Sequence, residues 1–360
     1  GRRTRIMVTL PSEAATDAGF VAALAGKGMD IARINCAHDN ADAWAAMAAN
    51  VRAAAEAAGR SIAVLMDIAG PKIRTEAVEA PKKEKLKPGD RLRLVATGAP
   101  RTCEKARFSA AVSLPEMVTR LRPGDRLRYD DGKLEGIVES AAGGEAMIVV
   151  TAAKAGGTKL KPEKGINLPD TALGLSPLTA KDETDLAAVI SLADLIGYSF
   201  VSHADDIDLL DAALSRQGAR ERPLGLVAKI ERPEAVTNLP ALMARASGSR
   251  PFGVMIARGD LAAEIGFERL AEMQEEILWL CEAASVPAIW ATQVLEDLVK
   301  DGVPSRGEMT DAAMASRAEC VMLNKGPAVT TAVGLLDHLL ARMDEHAFKK
   351  TAQLRALRSW

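Results

Sequence analysis

Short, continuous apolar runs alternate along this chain with longer stretches in which apolar residues recur every three or four positions. Arg5–Leu10 (RIMVTL), Ile31–Asn35 (IARIN) and Ile62–Asp67 (IAVLMD) have the length and composition of buried strands. Between them, Asp17–Gly28 carries Phe20, Val21 and Leu24 at helical spacing and closes on glycine. Ala41–Ala58 places Trp44, Met47, Val51 and Ala55 on one helical face. Strands with no polar alternation, separated by amphipathic helices, predict parallel pairing with both faces of the sheet covered.

The rhythm changes at Glu76. From there to about Gly165 the helical period is lost, and Gly, Pro and Lys punctuate short alternating runs such as Arg91–Val95 and Asp125–Tyr129. Two segments in this region, KLKPGDRLRLV from Lys85 and RLRPGDRLRYD from Arg120, each read as a PGD turn feeding a strand; shared turn chemistry accounts for the likeness as well as a duplication would. After Pro169 the strand–helix alternation returns. Strands are predicted at Leu195–Phe200, Leu224–Ile230, Gly253–Ala257, Ala288–Ala291 and Cys320–Leu323, and helices at Thr179–Leu192, Asp205–Leu214, Asn238–Ala246, Leu270–Ser285, Asp311–Arg317 and Thr330–Met343. About eight strand–helix pairs are the number that closes a (β/α)8 barrel. The expected fold class is therefore α/β: a TIM barrel from residues 1–75 and 166–360, with an inserted β-barrel lid domain, residues 76–165, after the third strand.

The polar residues gather where the predicted strands end. Val227–Glu231 (VAKIE) delivers Lys229 and Glu231 at the mouth of one strand, and Ala257–Leu261 (ARGDL) delivers Arg258, Gly259 and Asp260 at the mouth of the next. Barrel enzymes place their chemistry at the carboxyl ends of the strands, and two acids with one lysine suit a divalent metal and a phosphate. Taken alone, Lys229 and Glu231 also fit a surface ion pair, and Asp67 fits a helix cap or a polar strand end.

Charge and composition narrow the partners. A net charge of -2 leaves no basic footprint for nucleic acid or lipid, and no apolar run is long enough to span a bilayer, so a small-molecule partner is favoured by elimination. Cys36, Cys103, Cys281 and Cys320 lack CxxC spacing and are expected to be reduced, buried thiols in a cytoplasmic protein. The chain opens on Gly1 rather than Met and shows no signal peptide, which leaves a fragment or a processed form compatible with the sequence.

Seven motifs stand at predicted strand ends: ARINCAH from Ala32, MDIAGPKIRT from Met66, KGINLP from Lys164, VAKIE, ARGDL, ATQVLE from Ala291 and PSRGE from Pro304. In order and spacing they closely resemble the pyruvate kinase family, from about Arg5 to Leu323, with the β insertion resembling that family's mobile lid. The resemblance does not extend to the usual carboxy-terminal regulatory domain, so effector control of the usual kind is not expected within this chain. It implies phosphoryl transfer from phosphoenolpyruvate to ADP, giving pyruvate and ATP. Glu231 and Asp260 would hold Mg2+ or Mn2+. Lys229 would face the transferring phosphoryl and the enolate oxygen, with Arg33 and Arg74 as phosphate-facing arginines. Thr292 would supply the hydroxyl on the proton-delivery path, and the amides of Gly259 and Asp260 would hold the substrate carboxylate. Asn35, His38 and Lys164 would lie near the nucleotide phosphates. A homo-oligomer is compatible with the family pattern.

The departures carry their own expectations. The family's potassium site draws on a serine after the Arg-x-Asn and on the aspartate and threonine that open its third-strand motif; here those positions are Ala37, Asp67 and Ile68. Lys72 stands where the family often has glutamate, and it is expected to replace the potassium ion with its own charge. The family's MLSGETAKG segment is MLNKGPAVT here, which alters the nucleotide half of the site at Asn324, Lys325 and Gly326. A metal-dependent lyase or other enolate-handling enzyme on a pyruvate-like acid is the alternative reaction class, and a catalytically silent metabolite-binding homologue is a third reading.

Overall fold

The computed structural model of the chain describes residues 2–171, 173–218 and 223–344. The chain divides into two compact units, one formed by Gly1–Gly70, Ser176–Arg258 and Glu268–Trp360, the other by Pro71–Leu175 with Gly259–Phe267.

The first unit is a closed barrel of eight parallel strands: β1 (Arg5–Thr9), β2 (Ile31–Asn35), β3 (Ala63–Asp67), β4 (Leu195–Tyr198), β5 (Gly225–Ile230), β6 (Phe252–Ala257), β7 (Ala288–Ala291) and β8 (Cys320–Leu323). They neighbour one another in sequence order, and β8 pairs with β1 to close the ring. The TIM barrel expected from the alternating pattern is the observed fold. Met7, Leu65, Val227, Met255, Ile289, Cys320 and Met322 fill the interior, with Ile31 and Leu195 packed against them. Side chains two residues apart on a strand face the same way. One step beyond this apolar layer, the inward positions are therefore Thr9, Arg33, Asp67, Gly197, Lys229, Ala257 and Ala291, and the core ends where polar groups begin.

Helix starts in this unit are fixed by local side chains. Asn40 caps Ala41–Ala57, and Thr179 with Asp182 forms a capping box at Ala180–Leu192. The PSRGE motif proves to be another such box. Ser305 and Glu308 satisfy each other's backbone, so the helix runs Arg306–Ala315 and starts five residues earlier than the apolar spacing from Asp311 predicts.

The second unit is built on a seven-stranded sheet in the order Ile166–Asn167, Arg126–Tyr129, Leu134–Ala142, Glu145–Ala153, Arg91–Val95, Phe108–Val112 and Thr75–Glu79, with a short helix at Pro115–Arg120 and most of the helix Arg258–Ile265. Leu92, Leu94, Phe108, Leu127, Tyr129 and Ile148 lie in its core. The two PGD segments make the same turn: Gly89 (φ 90°) and Gly124 (φ 96°) take the left-handed conformation, and the Asp90 and Asp125 carboxylates accept from the amides of Lys87 and Arg122 at 2.7 and 3.0 Å. Cys36, Cys281 and Cys320 are buried, but Cys103 is exposed, because it lies in a surface turn that bridges to Ala106. Among the described residues, no helix is long and apolar enough to cross a membrane.

Candidate active site

At the carboxyl end of the barrel a chain of alternating charges crosses the inward face. Arg33 donates from Nε to Asp67 Oδ2 at 2.9 Å, its Nη2 closes on the same oxygen, and its Nη1 reaches Thr9 Oγ1 at 3.0 Å. Lys229 Nζ stands 3.3 Å from Asp67 Oδ1 and 2.9 Å from Glu231 Oε1, and it donates to Ser199 Oγ at 2.8 Å. Ser199 Oγ in turn donates a hydrogen bond to the Ile68 carbonyl at 2.7 Å, and the Phe200 amide donates to Glu231 Oε2 at 2.7 Å. Two cations and two carboxylates are thus balanced in a region where Asp67 and Glu231 are almost wholly shielded from solvent.

The backbone makes room for this network. A Cβ on Gly197 would sit 2.9 Å from Asp67 Oδ1, so the strand beside Asp67 must carry glycine there. Gly70 is left-handed at φ 65°, and a Cβ on it would meet Phe200 Cδ2 at 2.8 Å and Ser199 Cβ at 2.9 Å. Phe200 itself is held at φ 58°, a conformation that a bulky residue adopts only under constraint, and it is this residue whose amide is turned onto Glu231.

Burial alone would push the Asp67 carboxyl up, but Lys229 and Arg33 outweigh it and hold the group below the usual carboxylate range. For Lys229 burial favours the neutral amine. The carboxylates of Asp67 and Glu231 win over that and over repulsion from Arg33, so the ammonium is held above its usual range. The two carboxylates thus favour the charged ammonium of Lys229 over the neutral amine.

On the same unit, Thr292 follows β7 directly and has φ 65°. Asn35 ends β2 and turns its side chain back to accept from the Ala37 amide at 3.0 Å. His38 lies exposed in the loop that follows, where its carbonyl accepts from Trp44 Nε1 at 2.9 Å. At the end of the barrel, Gly326 packs onto Val299 so closely that a Cβ would approach the Val299 carbonyl to 2.8 Å; the MLNKGP departure is thus also a packing requirement.

In the second unit, Lys72 Nζ spans the carboxylate of Asp260, at 2.9 Å to Oδ1 and 3.2 Å to Oδ2, with Asp131 3.9 Å away. Its stem lies on Gly165, where a Cβ would come within 2.8 Å of Lys72 Cε. Gly259 and Asp260 open the helix Arg258–Ile265. Arg128 Nη1 holds that helix at its far end, donating to the carbonyls of Ala262 and Ala263 at 3.0 and 2.6 Å. Arg74 Nη1 donates to the Glu163 carbonyl at 3.1 Å, and Lys164 Nζ pairs with Asp130 at 3.1 Å.

The structure therefore joins Arg33, Lys229 and Glu231 in one network and joins Lys72 to Asp260 in another. Ser199, Phe200 and Gly197 were not singled out from the sequence; a serine directly after the apolar run LIGY was the available signal. The residue that closes the barrel network is Asp67, which the sequence left between a cap and a strand end.

This arrangement of a charged carboxyl end, a β insertion after the third strand and a helix opening on Gly-Asp can be set beside known proteins. The family model described as "Pyruvate kinase, barrel domain" matches residues 1–333. The chain belongs to the pyruvate kinase family. It is 31% identical over 353 residues to the pyruvate kinase of Mycobacterium tuberculosis (strain CDC 1551 / Oshkosh), spanning 96% of this chain and 71% of that protein. The pyruvate kinase of Agrobacterium vitis is 32% identical over 356 residues, with 96% and 70% covered, and that of Geobacillus stearothermophilus is 32% identical over 327 residues, with 90% and 53% covered. The chain is accordingly a member of a family of phosphotransferase enzymes.

Proposed function

We propose that this chain transfers the phosphoryl group of phosphoenolpyruvate to a nucleoside diphosphate, ADP by family pattern, giving pyruvate and the triphosphate. The observation that carries the reading is the shielded Arg33–Asp67–Lys229–Glu231 network at the carboxyl end of a pyruvate kinase family barrel. In this reaction the phosphorus–oxygen bond of the substrate breaks, a bond forms to the terminal oxygen of the diphosphate, and the electron pair stays on the enolate oxygen. A proton added at C3 then gives pyruvate. Such chemistry depends on positioning and on cations near the developing charge. Lys229, held protonated by its two carboxylates, serves that need, with Arg33 and Arg74 on the phosphoryl and Thr292 on the proton path to C3. The amides of Gly259 and Asp260 hold the substrate carboxylate, as the positive end of a helix favours. Asn35, His38 and Lys164 contribute toward the nucleotide phosphates. The small-molecule substrates and the family pattern suit a cytoplasmic enzyme, with self-association compatible.

Glu231 and Asp260 would be the protein ligands of Mg2+ or Mn2+. The donor set fits: Mg2+ is commonly held by one or two carboxylates, with water and substrate oxygens completing its shell. When bound, the ion neutralises charge on the transferring phosphoryl group. Mn2+ binding followed by paramagnetic resonance should tighten at least several-fold when oxalate is added; equal affinity with and without oxalate would count against a shared metal and substrate site.

Activity independent of potassium belongs to the same proposal. Ala37 and Ile68 offer hydrocarbon where an ion needs oxygen. Lys72 supplies a tethered positive charge in place of the ion. Turnover in tetramethylammonium buffer should stay within about twofold on adding potassium, whereas Lys72→Glu, which sets a carboxylate against Asp260, should depress it in either buffer. A many-fold stimulation by potassium would refute the replacement. The overall reading is tested by pyruvate release from phosphoenolpyruvate with a panel of nucleoside diphosphates and Mg2+ or Mn2+. Release that ignores the diphosphate would move the assignment to enolate chemistry without phosphoryl transfer, and no release at all would point to a metabolite-binding homologue.

A further inference from the structure

The loop after β7 holds the densest backbone strain in the barrel unit. Thr292, Gln293 and Leu295 stand at φ 65°, 55° and 49°, all left-handed, and none is glycine. A β-branched threonine is a true outlier there, because its Cβ crowds the carbonyl that follows. Such conformations persist only where the surroundings over-determine them.

One side chain supplies that constraint. Arg258, the last residue of the barrel unit before Gly259, is buried, and its guanidinium reads the exit of β7 atom by atom. Nε donates to the Ala291 carbonyl at 3.0 Å, and Nη2 donates to the Thr292 carbonyl at 2.6 Å. The remaining directions of the fork are closed by Asp311, with Nη1 2.5 Å from Oδ1 and Nη2 2.9 Å from Oδ2. The plane is set from the side by Trp290, whose ring centroid lies 4.7 Å from the guanidinium carbon. Asp311 is fixed in turn by the helix Arg306–Ala315, whose start is pinned by the Ser305–Glu308 box. A lysine could not make these contacts together, because only the planar fork offers several donors in fixed directions.

We propose that Arg258 and Asp311 form a clamp that sets the left-handed backbone of Thr292, and that Arg258 is thereby a positioning residue for the Thr292 hydroxyl in the protonation step. The inference rests on the reading of Thr292 given above. Both of these contacts from Arg258 to the exit of β7 are to backbone carbonyls, so the clamp acts on the conformation of the loop that carries the hydroxyl.

The test uses Arg258→Met, Arg258→Lys and Asp311→Asn in the full chain, each made alone and on a Thr292→Ala background. Displacement of a catalytic group by an ångström costs on the order of a hundredfold, so Arg258→Met should lower kcat by roughly thirty- to a hundredfold, with KM for phosphoenolpyruvate changing less than about threefold. Arg258→Lys should rescue little. Asp311→Asn, which leaves both carbonyl contacts in place, should lose only several-fold and guards against a misfolded Arg258 variant. On the Thr292→Ala background the same changes should add less than about threefold, because the group they position is gone. Exchange of the methyl protons of pyruvate with D2O should fall in parallel with kcat. A crystal structure of the Arg258→Met enzyme should show Thr292 released from positive φ. The clamp is overturned if Thr292 keeps its conformation in that variant, or if Arg258→Met costs as much without the threonine as with it. If Thr292→Ala alone leaves turnover unchanged, the proton-path role of Thr292 fails; the backbone conformation in Arg258→Met then decides the clamp by itself.

Discussion

Turnover should fall by about two to three orders of magnitude when Lys229 is replaced by methionine, the scale on which removal of one preorganised charge or donor at a reacting oxygen is felt. Methionine keeps the length and apolar body of the lysine stem, so the packing around Val227 and Ile230 has little to readjust. The loss is electrostatic. Two carboxylates outweigh the desolvation of Lys229 and hold it charged, and its Nζ is directed by Ser199 as well as by Asp67 and Glu231. A charge held from three sides in a shielded site need not be reorganised when the enolate forms. Steady-state assays should therefore show the loss mainly in kcat, with KM for phosphoenolpyruvate altered much less. Near-normal turnover in Lys229→Met would remove this residue from the mechanism.

The parts of this site that follow from strand period are legible in the sequence. Lys229 stands two residues beyond Val227 and Arg33 two beyond Ile31, so each shares the inward face of an apolar neighbour, and a polar residue at the end of a buried run announces itself. What the sequence could not carry was partnership. Lys72 and Asp260 lie 188 positions apart, and nothing near either one says that they meet. Ser199 and Asp67 become neighbours because β3 pairs with β4, which registers Asp67 against Gly197 across the whole inserted unit. The role of that glycine is equally silent, since only the carboxylate beside it explains the missing side chain. The strain at Phe200 and Thr292 is a property of closed geometry rather than of composition, because neither residue type favours positive φ.

Asp67 carries the largest expected effect on stability. Its two oxygens face Arg33 and Lys229 at almost no exposure, and Asp67→Asn would leave two cations in that region with one carboxylate fewer. Breaking a buried pair in this way costs about 3–5 kcal/mol, much of it the penalty of the uncompensated charge that remains. Urea unfolding followed by tryptophan fluorescence reads this unit directly, since Trp44, Trp279 and Trp290 all belong to it. The midpoint at neutral pH should fall accordingly. The pH dependence gives a second, independent readout. The folded-state carboxyl of Asp67 titrates below the usual range because Lys229 and Arg33 outweigh the burial that would raise it. A depressed carboxyl contributes stability that is fully present above the unfolded value and is lost as pH falls through the folded one. The stability gap between the parent protein and Asp67→Asn should therefore be constant through neutral pH and narrow on acidification below the ordinary carboxylate range. A gap of less than about 1 kcal/mol, or one indifferent to acid, would mean that Arg33 and Lys229 find other partners and that Asp67 is only a polar strand end.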